Sequence, residues 1–462
     1  MRTVAIIGGG PGGLMTADSL QRRAGSPIKT TIFEASTRLG GKLQTRMFDS
    51  APVAYEAGIA ECYSYETLGD DSLRKLVDEL DLDTFPTHST AVVLNGRLLR
   101  DEIDLGTHFG HATLKAFTDF RSAAADMLPL ANWYQGFVEA DNQHPWARRT
   151  CQQVLDDVLD PVARTYLKIG AHSDMATEPH LANGLIGLRN FLKSVPGYGA
   201  QYSIEGGMER LAQRLADRLT STRFELEAVV TALSRRRDGR YTVRLRRGRT
   251  AVEEDFDAVV LALPYNQLQA VEMIGERLRR AMAAHIAHYD SPGHYLRVSI
   301  LFDRPFWRRL FTGSWIMLDA FGGCCVYDES AGRDTDGYGV LGWLLAGADA
   351  LRLSNADDRT LAALVLDSLP DALYDEACSC AVEAKVHRWA GAVSGQPGGF
   401  RVRSPREAHQ PEPVEHPGLA VVGDYLFDST LNGVLRSASI ATELLLEAMS
   451  IEPVELVATV SA

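Results

Sequence analysis

The sequence has no apolar run near the ~20 residues that a membrane-crossing helix needs, so no bilayer-spanning segment is expected. Cysteine is also scarce, with six in 462 residues: Cys62, Cys151, Cys324, Cys325, Cys378 and Cys380. The adjacent Cys324 and Cys325, and the Cys378-Ser379-Cys380 pair, have no companions at metal-ligand spacing. That excludes a zinc module and a disulfide scaffold; both pairs are expected to be buried thiols, and no metal is expected. Positive charge is the third deficit: Lys and Arg number 47 against 60 Asp and Glu, for a net charge of −13. The one basic run, Arg235-Arg236-Arg237, abuts the turn signal Asp238-Gly239. A nucleic-acid partner is disfavoured, because phosphate binding draws on clustered Lys and Arg. Strand-forming residues begin at Val4, which leaves no room for a signal peptide. The expected location is the cytoplasm, with a short tail over 451–462 that holds Glu452 and Glu455.

What the sequence has in quantity is glycine near its start. Val4-Ala5-Ile6-Ile7 runs into Gly8-Gly9-Gly10-Pro11-Gly12-Gly13, then a helical stretch, then Ile28 to Phe33 and Glu34. Gly8, Gly10 and Gly13 fit G-x-G-x-x-G: a tight turn, a backbone that a pyrophosphate can approach, and a close helix–strand contact. The helix N-terminus brings free amides and a favourable dipole end to an anion. Glu34 follows Gly13 by about 20 residues, the spacing of a carboxylate that bonds a ribose hydroxyl. Strand, turn, helix, strand and acid in register read as a dinucleotide site.

Directly after Glu34 comes Ala35-Ser36-Thr37-Arg38-Leu39-Gly40-Gly41-Lys42. A second glycine pair lets another loop pass close to the cofactor, and Arg38 and Lys42 can neutralise its negative charge. The pattern E-A-x-x-R-x-G-G-[RK] resembles the flavin amine oxidase superfamily, whose members include monoamine oxidases, protoporphyrinogen oxidases and phytoene desaturases. The resemblance implies FAD, where spacing alone leaves NAD open. Ser36 and Lys42 stand where the family often has Arg; Lys42 keeps the charge but gives up the planar fork.

Further segments carry the same likeness. Tyr55-Glu56-Ala57-Gly58-Ile59 resembles the family segment that runs under the flavin ring, with Glu61 and Tyr63 as candidates to face the active site. Glu205-Gly206-Gly207-Met208 resembles its e-G-G-M segment, and the backbone at Val229 would meet the adenine. Leu419 to Asp424 and Thr430 to Ala438 resemble its closing strand, G-D, and the helix that begins under the flavin. There Gly423 and Asp424 would bond the ribityl or pyrophosphate side, and Asn432, Gly433 and Val434 would meet the pyrimidine edge. Many amine oxidases place a lysine where Arg297 stands, ahead of Phe306-Trp307. An arginine stays charged and offers a flat donor fork, so Arg297 is expected to bind a carbonyl, carboxylate or developing anion on the substrate. The alternative is a structural ion pair.

Two departures bear on the substrate. The family's aromatic pair around the substrate nitrogen is missing: Val434 is taken as one position, and Ser394-Gly395-Gln396-Pro397 as the region of the other. Trp389 is expected to border the flavin or the pocket. The cysteine that tethers flavin in some relatives is also missing, so the FAD should be noncovalent.

At 462 residues, with 45% hydrophobic and 23% charged residues, the chain exceeds one core. The expected fold class is α/β with α+β insertions: a Rossmann-like FAD domain (1–75, 196–285 and 401–450) interleaved with a helix-plus-antiparallel-sheet substrate domain (76–195 and 286–400). Aromatics Trp133, Tyr134 and Phe137 are read as core. The expected activity is FAD-dependent removal of hydride from the C–N bond of a small amine or amide, with O2 as acceptor and H2O2 released. The alternatives are a desaturase, dehydrogenase or oxidative cyclase acting on a larger carbonyl-bearing metabolite, and a non-enzymatic FAD-fold binder. The partners expected are a small-molecule substrate and O2, with a homodimer left open.

Overall fold

A computed structural model describes residues 1–24, 28–65, 71–89, 91–134, 138–193, 195, 198, 200–427 and 429–453. A helix stop at Gly25, the aromatic Phe137 and most of the C-terminal tail (454–462) lie outside them.

The apolar start of the chain forms β1 (Arg2–Ile7), and the glycine turn leads into α1 (Pro11–Arg23) and then β2 (Ile28–Phe33). These join β3 (Thr222–Glu225), β4 (Ala258–Leu261) and β5 (Leu419–Val421) in a parallel sheet of order β3-β2-β1-β4-β5. All four residues of β4 are buried, as the unbroken apolar run Ala258 to Leu261 requires of a central parallel strand covered on both faces. One face carries α1 and the long closing helix α2 (Leu431–Ala448), packed on Val4, Ile6, Leu14, Ala438 and Leu445. The other face, through Ala5, Ile7 and Phe33, packs on a four-stranded sheet that includes 228–235, 241–247 and 250–256. The expected hairpin around Asp238-Gly239 joins the first two of these antiparallel.

A seven-stranded mixed sheet holds the second part of the fold, in the order 381–394, 292–302, 339–346, 324–328, 315–318, 92–94 and 97–99. Its last two strands form the hairpin announced by Asn95-Gly96, both with positive φ as a tight two-residue turn requires. Helices between Glu102 and Lys193 pack against this sheet through Leu105, Phe117, Leu167 and Phe191. The helical pattern from Leu73 is Ser72–Glu79, capped by the Asp71 side chain on the Arg74 amide. One thiol differs from expectation. Cys324, Cys325 and Cys380 are buried, but Cys378 is exposed, because it sits on the outer face of helix Asp371–Cys380. Among the described residues no helix is long and apolar enough to cross a membrane, and no cluster of His, Cys, Asp and Glu could hold a metal ion.

Candidate active site

The glycine turn is tight for a steric reason. A Cβ on Gly13 would stand 2.0 Å from the Gly8 carbonyl oxygen, and Gly8 itself has φ +110°. Gly10 differs: a Cβ there would only touch the Cα of Gly41 at 3.9 Å, and the two glycine loops lie in contact, the Gly40 amide donating to the Gly9 carbonyl at 2.8 Å. No side chain caps α1 at Gly10, which leaves first-turn amides free for an anion. Glu34 leaves the end of β2 and accepts from the Gly9 and Ser36 amides, both at 2.8 Å. The Ala228 amide donates to the Glu34 carbonyl, which brings half-buried Val229 alongside, and Ala35 is exposed at the rim. Arg38 turns inward and donates to the Leu39, Leu43 and Gly41 carbonyls, fixing the Gly40-Gly41 loop.

Three distant parts of the chain meet at Lys42. Its Nζ donates to the Asp424 carboxylate at 3.0 Å and to the Ala392 carbonyl. The Lys42 carbonyl in turn accepts from the Ile59 amide at 3.1 Å. Gly58 lies so close that a Cβ would stand 2.0 Å from that carbonyl and 3.6 Å from the Trp389 ring. Trp389 Nε1 bonds the Ala57 carbonyl at 2.7 Å. Gly423 donates its amide to Ser437 Oγ on α2 at 3.1 Å. At the start of that helix, Thr430 caps the Gly433 amide at 3.1 Å, and Asn432 has a covered Oδ1 with no partner among the described residues.

Arg297 and Val434 both have neighbours within the protein. Arg297 is almost fully buried and donates to Glu329 at 2.6 Å and to the Gly58 carbonyl at 3.2 Å. A guanidinium buried this deeply needs a counter-charge, and Glu329 supplies it, as in the ion-pair alternative, while the other arm of the fork holds the segment at Gly58. Val434, at the start of α2, is buried against the glycine turn, its methyl 3.7 Å from where a Gly12 Cβ would be. One turn earlier, Thr430 lines a cavity.

That cavity, about 70 Å³ and open in part to solvent, lies between the closing-helix start, the Ser394-Gly395-Gln396 loop and three helices of the insertion. Asp174, Lys193 and Trp133 form the facing wall. Lys193 Nζ contacts Asp174 at 3.1 Å and the Tyr63 hydroxyl at 3.2 Å, over the Tyr63 ring. Tyr63 donates to Glu61 Oε1 at 3.3 Å, and Gln201 Nε2 does the same at 3.3 Å. Burial first, then the nearby Asp174 charge, push the Glu61 carboxyl up to about 7, against the opposite pull of Lys193. Glu61 and Tyr63 are thus brought together with Asp174 and Lys193, which sequence reasoning did not single out.

The sequence model described as flavin containing amine oxidoreductase matches residues 11–446. The chain belongs to that family. It is therefore an FAD-dependent oxidoreductase, and the cradle fits the group: paired glycine loops without side chains to block a close approach, a helix start with no side-chain cap and a carboxylate at the end of β2. Among solved structures, a putrescine oxidase variant is similar over 96% of this chain and 99% of its own, at 21% identity and TM-score 0.76. Cyclohexylamine oxidase from Brevibacterium oxydans is similar over 97% and 99%, at 16% identity and TM-score 0.71. A structure described as a putative protoporphyrinogen oxidase from Exiguobacterium is similar over 96% and 99%, at 18% and 0.72. These likenesses establish a shared fold. No curated protein matches the sequence.

Proposed function

We propose that this family member oxidises a small amine by removing hydride from the carbon beside nitrogen, with O2 regenerating the cofactor and H2O2 released. The observation that carries the reading is the cavity where the insertion helices meet the closing helix, which sets Asp174, Lys193 and Thr430 among the apolar Trp133, Met175 and Phe427. FAD, when bound, would supply the two-electron acceptor. Gly8, Gly10 and Glu34 would hold its dinucleotide part; Gly58, Ile59, Lys42, Trp389 and the 423–433 segment would hold the rest. Lys42 keeps the three converging segments in place. Arg297 acts as a positioning residue, tying the Gly58 carbonyl to the Glu329 carboxylate. That engagement disfavours a larger carbonyl-bearing substrate gripped by Arg297. The test is anaerobic mixing of the FAD-loaded enzyme with cyclohexylamine, 1,4-diaminobutane and benzylamine. Flavin bleaching, followed by H2O2 on admitting air, is expected with at least one. Flavin left oxidised by all three contradicts the proposal, and bleaching without peroxide in air contradicts the oxidase part.

A further inference from the structure

An ion pair lies in the cavity wall itself. Asp174 and Lys193 both line the cavity, and their charged groups stand 3.1 Å apart. Each is held from behind. The Tyr295 hydroxyl bonds the Ser173 and Asp174 carbonyls at 3.0 and 3.2 Å, which fixes the end of helix Pro161–Met175. Lys193, the last residue of helix Gly184–Lys193, lies over the Tyr63 ring and donates to its hydroxyl at 3.2 Å. Neither charge is saturated. An ammonium carries three N–H donors, and among the described residues Lys193 directs one to Asp174 and one to Tyr63. Asp174 accepts through Oδ2, which leaves Oδ1 without a partner among the described residues. The other charged side chain on the lining, Arg189, is matched by Asp141 at 3.2 Å. The lining is thus neutral overall, with its one open ion pair set beside apolar Trp133, Met175, Ile186 and Phe427.

A ligand of one sign suits such a wall poorly. A lone ammonium on Asp174 leaves Lys193 as surplus positive charge, and a lone carboxylate on Lys193 leaves Asp174 as surplus negative charge, each in a partly desolvated site. A ligand with both signs adds a second ion pair to the first, and every charge then faces its opposite. We propose that the Asp174–Lys193 pair binds both charges of a zwitterionic substrate, an α-amino acid, with the ammonium on Asp174 Oδ1 and the carboxylate on the remaining N–H of Lys193. The assignment rests on the amine reading above and adds to it the substrate class. Wall charges only 3.1 Å apart match a ligand whose own two charges are borne on one carbon. That carbon is also the one beside nitrogen, whose C–H bond the oxidation breaks. A plain amine or a diamine meets Asp174 but gives Lys193 nothing to bind.

The test uses two matched sets of ligand: alanine, alaninamide and ethylamine, and leucine, leucinamide and 3-methylbutylamine. Within a set only the carboxylate changes, to an uncharged isostere or to hydrogen, and at about pH 7 every member carries an ammonium group. The FAD-loaded enzyme is titrated anaerobically, and the concentration that half-bleaches the flavin is read for each. In at least one set the amino acid should half-bleach at a concentration about tenfold or more below its amide and its amine, the worth of one hydrogen bond between charged groups. Lys193→Met, with FAD and its visible spectrum retained, should abolish that preference, and Lys193→Arg should keep it. Asp174→Asn should weaken the amide and the amine as well, since all three ligands share the ammonium. In both sets, amides or amines that bleach the flavin at the same or lower concentration than the amino acid overturn the assignment alone, as does a Lys193→Met enzyme that still prefers the amino acid. Flavin left oxidised by both sets, but bleached by cyclohexylamine, 1,4-diaminobutane or benzylamine, also overturns the assignment and leaves the amine reading standing. Flavin that none of the nine compounds bleaches overturns the amine reading itself.

Discussion

Substituting Gly58 by alanine tests how tightly the cofactor cradle is drawn together. The new Cβ would stand 2.0 Å from the Lys42 carbonyl oxygen and 3.0 Å from its carbon, against a usual C···O approach of about 3.3 Å. Both partners are backbone, so one segment has to move by roughly 1.3 Å rather than a side chain turning aside. The displaced segment carries the 3.2 Å contact from Arg297 to the Gly58 carbonyl and adjoins the 2.7 Å bond from Trp389 to Ala57. Overpacking of this kind costs about 1–3 kcal/mol, and a weakened bond to a charged donor adds to it. If about 2–3 kcal/mol of this falls on the holo form, FAD affinity drops roughly 30- to 150-fold. Equilibrium titration of apoprotein with FAD, read by flavin fluorescence, measures the change. Gly170→Ala is the control: it lies within helix Pro161–Met175, and nothing lies within 4 Å of its Cβ position. It should leave FAD affinity unchanged and add up to about 1 kcal/mol of stability through helix propensity. A Gly58→Ala protein that binds FAD as tightly as wild type would refute the argument.

Other expectations follow from the same contacts. Arg297→Lys keeps a charge for Glu329 but loses the fork that also reaches Gly58, so FAD affinity should fall while the Michaelis constant for an oxidised amine holds; a raised constant with intact FAD binding would show substrate contact instead. Arg297→Met strands Glu329 in the interior and should destabilise by about 3–5 kcal/mol in chemical denaturation. Glu61 binds its proton more tightly folded than unfolded, so its stabilising contribution is complete below about pH 4.5 and is lost as pH rises through about 7. Wild type should therefore lose stability relative to Glu61→Gln across that window, and parallel stability–pH curves would contradict the burial argument. Thr430→Ala removes the cap on the Gly433 amide and should cost about 1 kcal/mol, whereas Thr430→Ser should restore most of it.

The parts of this fold that sequence makes visible are those in which a local rule is strict. Only glycine tolerates the backbone of Gly8 and the contact at Gly13, and only a positive-φ pair such as Asn95-Gly96 closes that hairpin, so both could be read without coordinates. The edge strand Thr222–Glu225 was not foreseen: its short, polar T-R-F-E lacks the continuous apolar run that marked β4. Nor could sequence show that Arg297 is engaged. Its partner Glu329 lies just past strand Cys324–Asp328, and the two strands approach only through the intervening strand Gly339–Ala346. Lys193 and Asp174 sit on different helices, and each reads as an ordinary surface charge until the helices pack and turn both toward one cavity.

The central claim is that three separated stretches, drawn together at Lys42, Ala392 and Asp424, hold one FAD. Titrating FAD into the purified apoprotein measures this directly. One equivalent taken up per chain, with the yellow flavin spectrum and a loss of affinity in Asp424→Ala, is the predicted result. A colourless protein that takes up no added FAD would contradict it.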